Sequence, residues 1–174
     1  MRFEGRIRFH LFPGNIDGEE LRREVCKMSL ADKERHGLVV ADFSNLLSTL
    51  GRNQLLNDIG NNGSVSQFAQ YLGIGSNPIV QCFPGDTSIP GEFYRMANNG
   101  YSINGTGTSV NIDFFANTSQ ANASIYTSIG ILGNGAVSTP GGAGQLNTHA
   151  LVLPYGFSKT SANSLDIHYL IGIV

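Results

Sequence analysis

The chain reads as a mainly β protein with one or two helices: an antiparallel β-sandwich or barrel with an N-terminal strand and a Leu-striped helix. Three observations predict this. Period-2 alternation of apolar and polar residues runs through residues 2–12, 109–116 and 164–174. Gly, Asn and Pro cut everything after Val65 into short segments. One stretch, residues 42–59, carries leucines at helical spacing.

The elements follow in order. In residues 2–12, Phe3, Ile7, Phe9 and Leu11 share one parity, and Arg2, Glu4, Arg6, Arg8 and His10 the other. That is a half-buried strand with a cationic face, ended by Pro13-Gly14-Asn15. Arg2, Phe3, Arg6, Ile7, Arg8 and Phe9 are its partner-docking candidates, because an exposed strand can extend another sheet through backbone hydrogen bonds. An equal reading places the strand in the domain's own sheet. Residues 1–37 are accordingly an N-terminal strand and connector, a docking arm on the first reading. Residues 38–174 form a helix plus antiparallel β-domain in one globular unit.

Residues 19–28 favour a helix, with Leu21, Val25 and Met28 in helical spacing. Residues 42–59 predict the main helix, capped by Asp42 or Ser44, striped by Leu46, Leu47, Leu50 and Leu55, and ended by Gly60-Asn61-Asn62-Gly63. Strands follow at 68–74, 94–96, 100–103, 109–116, 124–132, 146–153 and 164–174. A loop rich in Pro and Gly lies between the first two.

The charges stop a third of the way along. Nine Lys/Arg and nine Asp/Glu precede residue 59; the remaining 116 residues hold only Arg95, Lys159, Asp86, Glu92, Asp113 and Asp166. A surface of Gly, Asn, Ser and Thr is suited to uncharged contact with other subunits. The formal net charge of −2 and the lack of a basic stripe argue against direct binding of nucleic acid. The N-terminus has no uninterrupted apolar core of a signal peptide, and no apolar run is long enough to span a bilayer. Cys26 and Cys82, far apart and outside any CxxC, read as free thiols.

Chemistry-bearing motifs are few. Gly73-Ile74-Gly75-Ser76 contains GxG, but Pro78 stands where a dinucleotide-binding helix would begin, so the run reads as a turn. His10, His36, His149 and His168 have no metal-ligand spacing. No GxSxG is present, and Asp86, Glu92, Asp113 and Asp166 form no local carboxylate pair. The sequence therefore predicts no catalytic, cofactor-binding or metal-binding residue and no enzymatic activity. Tyr101, Tyr126 and Tyr155, among many Asn, Ser and Thr, offer the alternative of a receptor- or carbohydrate-binding module.

Several pieces share their order with a known group. They are Asn45-Leu46-Leu47 through Ile59, Tyr71-Leu72-Gly73-Ile74-Gly75-Ser76, Asp86-Thr87, Glu92-Phe93-Tyr94-Arg95 and Val110-Asn111-Ile112-Asp113-Phe114. Ala121-Asn122-Ala123-Ser124 through Leu132, Phe157-Ser158-Lys159-Thr160 and Ser164 through Tyr169 continue the series. In this the chain resembles bacteriophage virion structural proteins of tail-fibre, neck or head-decoration type. The resemblance spans nearly the whole chain. Two places depart from it: Ser128 stands where the group usually has an acid, and Cys82-Phe83 interrupts a loop usually made of small residues. It implies a non-enzymatic virion component, assembled in the bacterial cytoplasm. Its expected partners are copies of itself and virion proteins such as portal, adaptor, capsid or fibre, with no membrane and no cofactor.

Overall fold

The computed structural model describes residues 3–14, 28–29, 31–32, 35, 39–60, 68–103, 109–123, 125–152 and 157–173. The strands are β1 (Phe3–Pro13), β2 (Val39–Leu47), β3 (Tyr71–Gly75), β4 (Glu92–Ile103) and β5 (Ser109–Ala116). They continue with β6 (Ser128–Gly133), β7 (Gln145–Leu146), β8 (Thr148–Leu151) and β9 (Asn163–Ile173); the helix α1 is Thr49–Gly60. The order is β3-β4-β5-β9-β1-β2-β8-β6-β7, and a further β3–β6 ladder joins the two ends. The antiparallel sheet thus wraps, nearly closed, into a barrel-like shape, one of the two architectures that the patterning allows. Long crossings, β2 to β3 and β5 to β6, give it Greek-key connections. Among the described residues no helix is long and apolar enough to cross a membrane.

The inside row comes from the alternation. Ile7 and Phe9 of β1, Ile112 and Phe114 of β5, and Leu165, Ile167, Tyr169 and Ile171 of β9 are buried in one core. Phe9, Phe43, Tyr126 and Phe157 meet edge to face there, with ring centroids 4.9–6.4 Å apart. Tyr126 loses its place among exposed sugar-stacking aromatics: it is fully buried and its hydroxyl donates to the Ala121 carbonyl. Tyr155 lies outside the described residues.

Of the two readings of the N-terminal strand, the structure takes the second: it lies in the domain's own sheet. β1 pairs β9 along its whole length and β2 on its other side over Gly5–His10, so along that stretch neither edge is open to a partner's strand. It is a central strand of the barrel, and Ile7 and Phe9 belong to the core.

The predicted long helix is corrected at its start and stands from residue 49 to 59. Residues 42–47 belong to β2, where buried Ala41 and Phe43 alternate with outward Asp42 and Ser44 and pair with β1 (Ile7↔Phe43). Helix α1 starts at Thr49. Its cap is Ser48, whose Oγ accepts the Gly51 N–H at 2.8 Å and donates to the Leu146 carbonyl at 2.7 Å. The helix expected over residues 19–28 lies, but for Met28, outside the described residues.

β7 and β8 are one strand interrupted by a bulge. β6 pairs with both, but its register slips by one residue at Asn147 (Leu132↔Leu146, then Ile129↔Ala150). The Asn147 carbonyl accepts the Ser48 N–H at 3.0 Å, and its side-chain amide donates to the Phe68 carbonyl at 2.7 Å. The bulge therefore seats the start of α1 against the barrel wall.

The GxG run is strand, not turn. Gly73 and Gly75 lie in β3 with their bare faces under the loop 76–91. A Cβ on Gly75 would lie 2.8 Å from Ile89 Cγ2 and 2.5 Å from the Pro90 carbonyl oxygen. The glycines let the loop lie flat on the sheet, with Ile89 packed on Leu132 and Leu146 in a second, outer core.

Candidate functional site

Polar side chains concentrate on the outer face of β2, β1, β9 and β5. The alternation that points Ile7, Phe9, Ile167 and Tyr169 inward points Arg6, Arg8, His10, Asp166 and His168 outward. The registers Arg8↔His168, His10↔Asp166 and Asp113↔His168 then place the group side by side. His168 lies between two carboxylates: its Nδ1 is 2.7 Å from Asp113 Oδ1 and its Nε2 2.9 Å from Asp166 Oδ2. His10 Nδ1 is 3.9 Å from the same Asp166 oxygen, and the two imidazoles meet edge to face at 5.2 Å. His10 and Asp166 are fully buried; His168 and Asp113 are partly open. A cavity of about 350 Å³, lined by Arg6, Arg8, Ser102, Asn111, Asp113 and His168, opens beside them.

The docking candidates divide by parity. Arg6 and Arg8 face outward and share Asp42, with Arg6 Nε at 2.5 Å and Arg8 Nε at 3.0 Å. Hydrogen bonding from Arg6, with a smaller contribution from Arg8, holds the Asp42 carboxyl below its ordinary range. Ile7 and Phe9 are inside. Phe3 lies at the start of β1, and Arg2 lies outside the described residues.

A second group gathers where the loop 76–91 crosses β8. His149 Nδ1 is 2.6 Å from Asp86 Oδ2, which also accepts the Phe83 N–H at 2.8 Å. Cys82 lies in the same group, with one donor atom of each residue within 4.8 Å of the others. These are the residue types of a nucleophilic triad. Burial, and secondarily the Asp86 charge, pushes the Cys82 thiol up to about 12. It is therefore a protonated, weak nucleophile at neutral pH.

Two further charged groups act as clamps. Arg95, buried on β4, forms a two-pronged pair with Glu92 and reaches the carbonyls of Val137, Gly142 and Ala143. Lys159, also buried, donates to the Gln120 carbonyl and to Asn122 Oδ1, each at 2.8 Å. Burial pulls the Lys159 ammonium down to about 8.

That shift has a measurable consequence. Between pH 8 and about 10.5 the unfolded chain keeps a proton that the folded chain has released, so stability rises with pH by up to about 1.4 kcal/mol per unit. Below pH 8 the penalty is fully present. Lys159→Met removes this slope. Wild-type stability minus that of Lys159→Met is expected to grow by about 1.5 kcal/mol between pH 8 and 9.5, measured by urea denaturation. Subtraction cancels the opposing contribution of Cys82. Parallel profiles for the two proteins would refute the assignment.

Sequence reasoning saw that His168 sits on the parity opposite the apolar row, but not its partners. The signal available was that His10 and Asp166 also sit on polar rows; the strand register that unites them is not written in either segment. Comparison with protein-family models, curated proteins and solved structures finds no match to this chain.

Proposed function

We propose that the chain is a non-enzymatic structural component of a bacteriophage virion. It forms a homo-oligomer that joins virion parts at the tail, neck, fibre base or head surface. The observation that carries this reading is where the resembling motifs fall. The Glu92-x-x-Arg95 pair, the Phe157 to Thr160 turn with Lys159, and the glycines of β3 each hold a loop onto the barrel. Motifs spent on holding a fold suit a building block better than a catalyst.

Two further features support it. Each acid of the last 116 residues sits against a base: Asp86 with His149, Glu92 with Arg95, and Asp113 and Asp166 with His168. Large apolar side chains stand exposed in charge-poor surroundings, among them Ile103 (60 % exposed) and Tyr101 (48 %) near the tip of the β4–β5 hairpin and Val80 and Phe83 in the loop 76–91. Such positions are suited to contact with copies of the chain or with neighbouring virion proteins.

Sedimentation of the purified protein at micromolar concentration is expected to give one closed oligomer. Because the contacts are uncharged, it should persist in 1 M salt, where the screening length falls to about 3 Å. Electron microscopy of intact particles with labelled protein should place it on the virion. A monomer that binds neither capsid nor tail would overturn the proposal.

A further inference from the structure

The His10–Asp166–His168 group has the composition and spacing of a metal site, and this holds whether or not the chain is a virion protein. We propose that His10, Asp166 and His168 bind a divalent transition-metal ion of the zinc class, with Asp113 as the positioning residue for His168.

Three observations carry it. The first is the donor set. Two imidazoles and one carboxylate are the ligands with which proteins hold zinc at three positions while leaving a fourth open. One donor atom from each residue lies within 4.8 Å of the other two.

The second is the distances. Two ligands at about 2.05 Å from a tetrahedral ion stand roughly 3.3 Å apart. Here Asp166 Oδ2 is 2.9 Å from His168 Nε2 and 3.9 Å from His10 Nδ1. The two separations straddle the required value. The longer one exceeds a hydrogen bond and closes to a ligand–ligand contact by a shift of about half an ångström.

The third is the support behind the ligands. Asp113 Oδ1 lies 2.7 Å from His168 Nδ1, the ring nitrogen turned away from Asp166. A carboxylate in that position accepts the Nδ1–H, favouring the tautomer whose Nε2 lone pair is turned toward Asp166 and the ion position, and holds the ring in place. The ligands stand on β1 and β9, whose register sets His10 opposite Asp166, and Asp113 comes from β5, so three adjacent strands preorganise the group. His10 and Asp166 are buried while His168 also lines the cavity beside Arg6, Arg8 and Asn111. The fourth position is therefore reached from the cavity, by water or by a polar group.

The Cys82–Asp86–His149 group is the competing site, and the test separates the two. Chelator-treated protein is titrated with ¹¹³Cd²⁺ and the metal resonance recorded, with zinc added in competition. Nitrogen and oxygen ligands give a resonance far upfield of any thiolate site. The expected result is one equivalent bound at micromolar affinity or tighter, a nitrogen/oxygen shift, and displacement by zinc. The long-range ¹⁵N correlations of His10 and His168 should move on binding while those of His149 stay. His10→Gln and His168→Gln should abolish binding, His149→Gln should leave it intact, and Asp113→Asn should weaken it about 10- to 100-fold. A thiolate-type shift, or no binding by folded wild-type protein, overturns the proposal. Because the resonance and the imidazole shifts are read on the wild type, a variant that fails to fold does not blunt the test.

Discussion

Arg95→Met is expected to destabilise the barrel by about 3–5 kcal/mol, the cost of removing one partner from a buried, hydrogen-bonded ion pair. The guanidinium spends its donors in one place. Nε and one terminal nitrogen hold Glu92 at 2.7 and 2.9 Å; the terminal nitrogens also reach Val137 and Ala143 at 2.8 Å and Gly142 at 3.0 Å. Glu92 Oε2 in turn accepts the Gly141 N–H at 2.6 Å. Loss of Arg95 strands a buried carboxylate and takes the shared donor from three loop carbonyls. Arg95→Lys should recover only part of the loss, since an ammonium has three donors and no flat fork. Arg95→Met combined with Glu92→Gln should be less harmful than the sum of the two single changes, because no unpaired charge is left behind. Guanidinium denaturation gives the energies, and hydrogen exchange at residues 137–144 should quicken first. A loss below about 1 kcal/mol for Arg95→Met would show the clamp to be dispensable.

Gly51→Ala is the second large effect, and its sign separates two kinds of reasoning. Helix propensity predicts a gain of about 1 kcal/mol, because Gly51 lies inside α1. The packing predicts a loss. A Cβ there would fall on the backbone carbonyl of Asn147, and the Asn147 Cα would be 2.8 Å away. Backbone cannot rotate aside as a side chain can, and this carbonyl is held by Ser48. Overpacking of that kind costs about 1–3 kcal/mol in side-chain cores. Against backbone we expect it to outweigh propensity, with a net loss of about 2 kcal/mol or more. Thermal unfolding beside Arg52→Ala, an exposed change in the same turn, provides the comparison. A stabilised Gly51→Ala protein would mean that α1 does not sit against the bulge.

Both predictions rest on features that the sequence signals only in part. Alternation in β1, β5 and β9 gave their spans and inward rows within a residue or so, because a strand with one buried face writes its burial into its own parity. Residues 49–59 are helical as expected, but 42–47 are strand, because VVADFSNLL satisfies both periods: its leucines fit a helix, while Ala41 and Phe43 fit a strand. Pairing with β1 decides between them, and that is a tertiary event. The glycines of β3 were read as a turn because bare backbone serves turns and close packing equally; only the position of Ile89 distinguishes the two.

The sequence by itself determined the class of the protein: antiparallel β, with few charges after Asp58 and no local catalytic motif. These are properties of composition and of neighbours along the chain. Only the tertiary structure decided that the N-terminal strand is central to the barrel and that His10, Asp113, Asp166 and His168 share one face. It also decided that Arg95 holds a loop more than forty residues away. The reason is register: sliding β9 by two residues along β1 would keep every inward side chain inward and yet part His10 from Asp166.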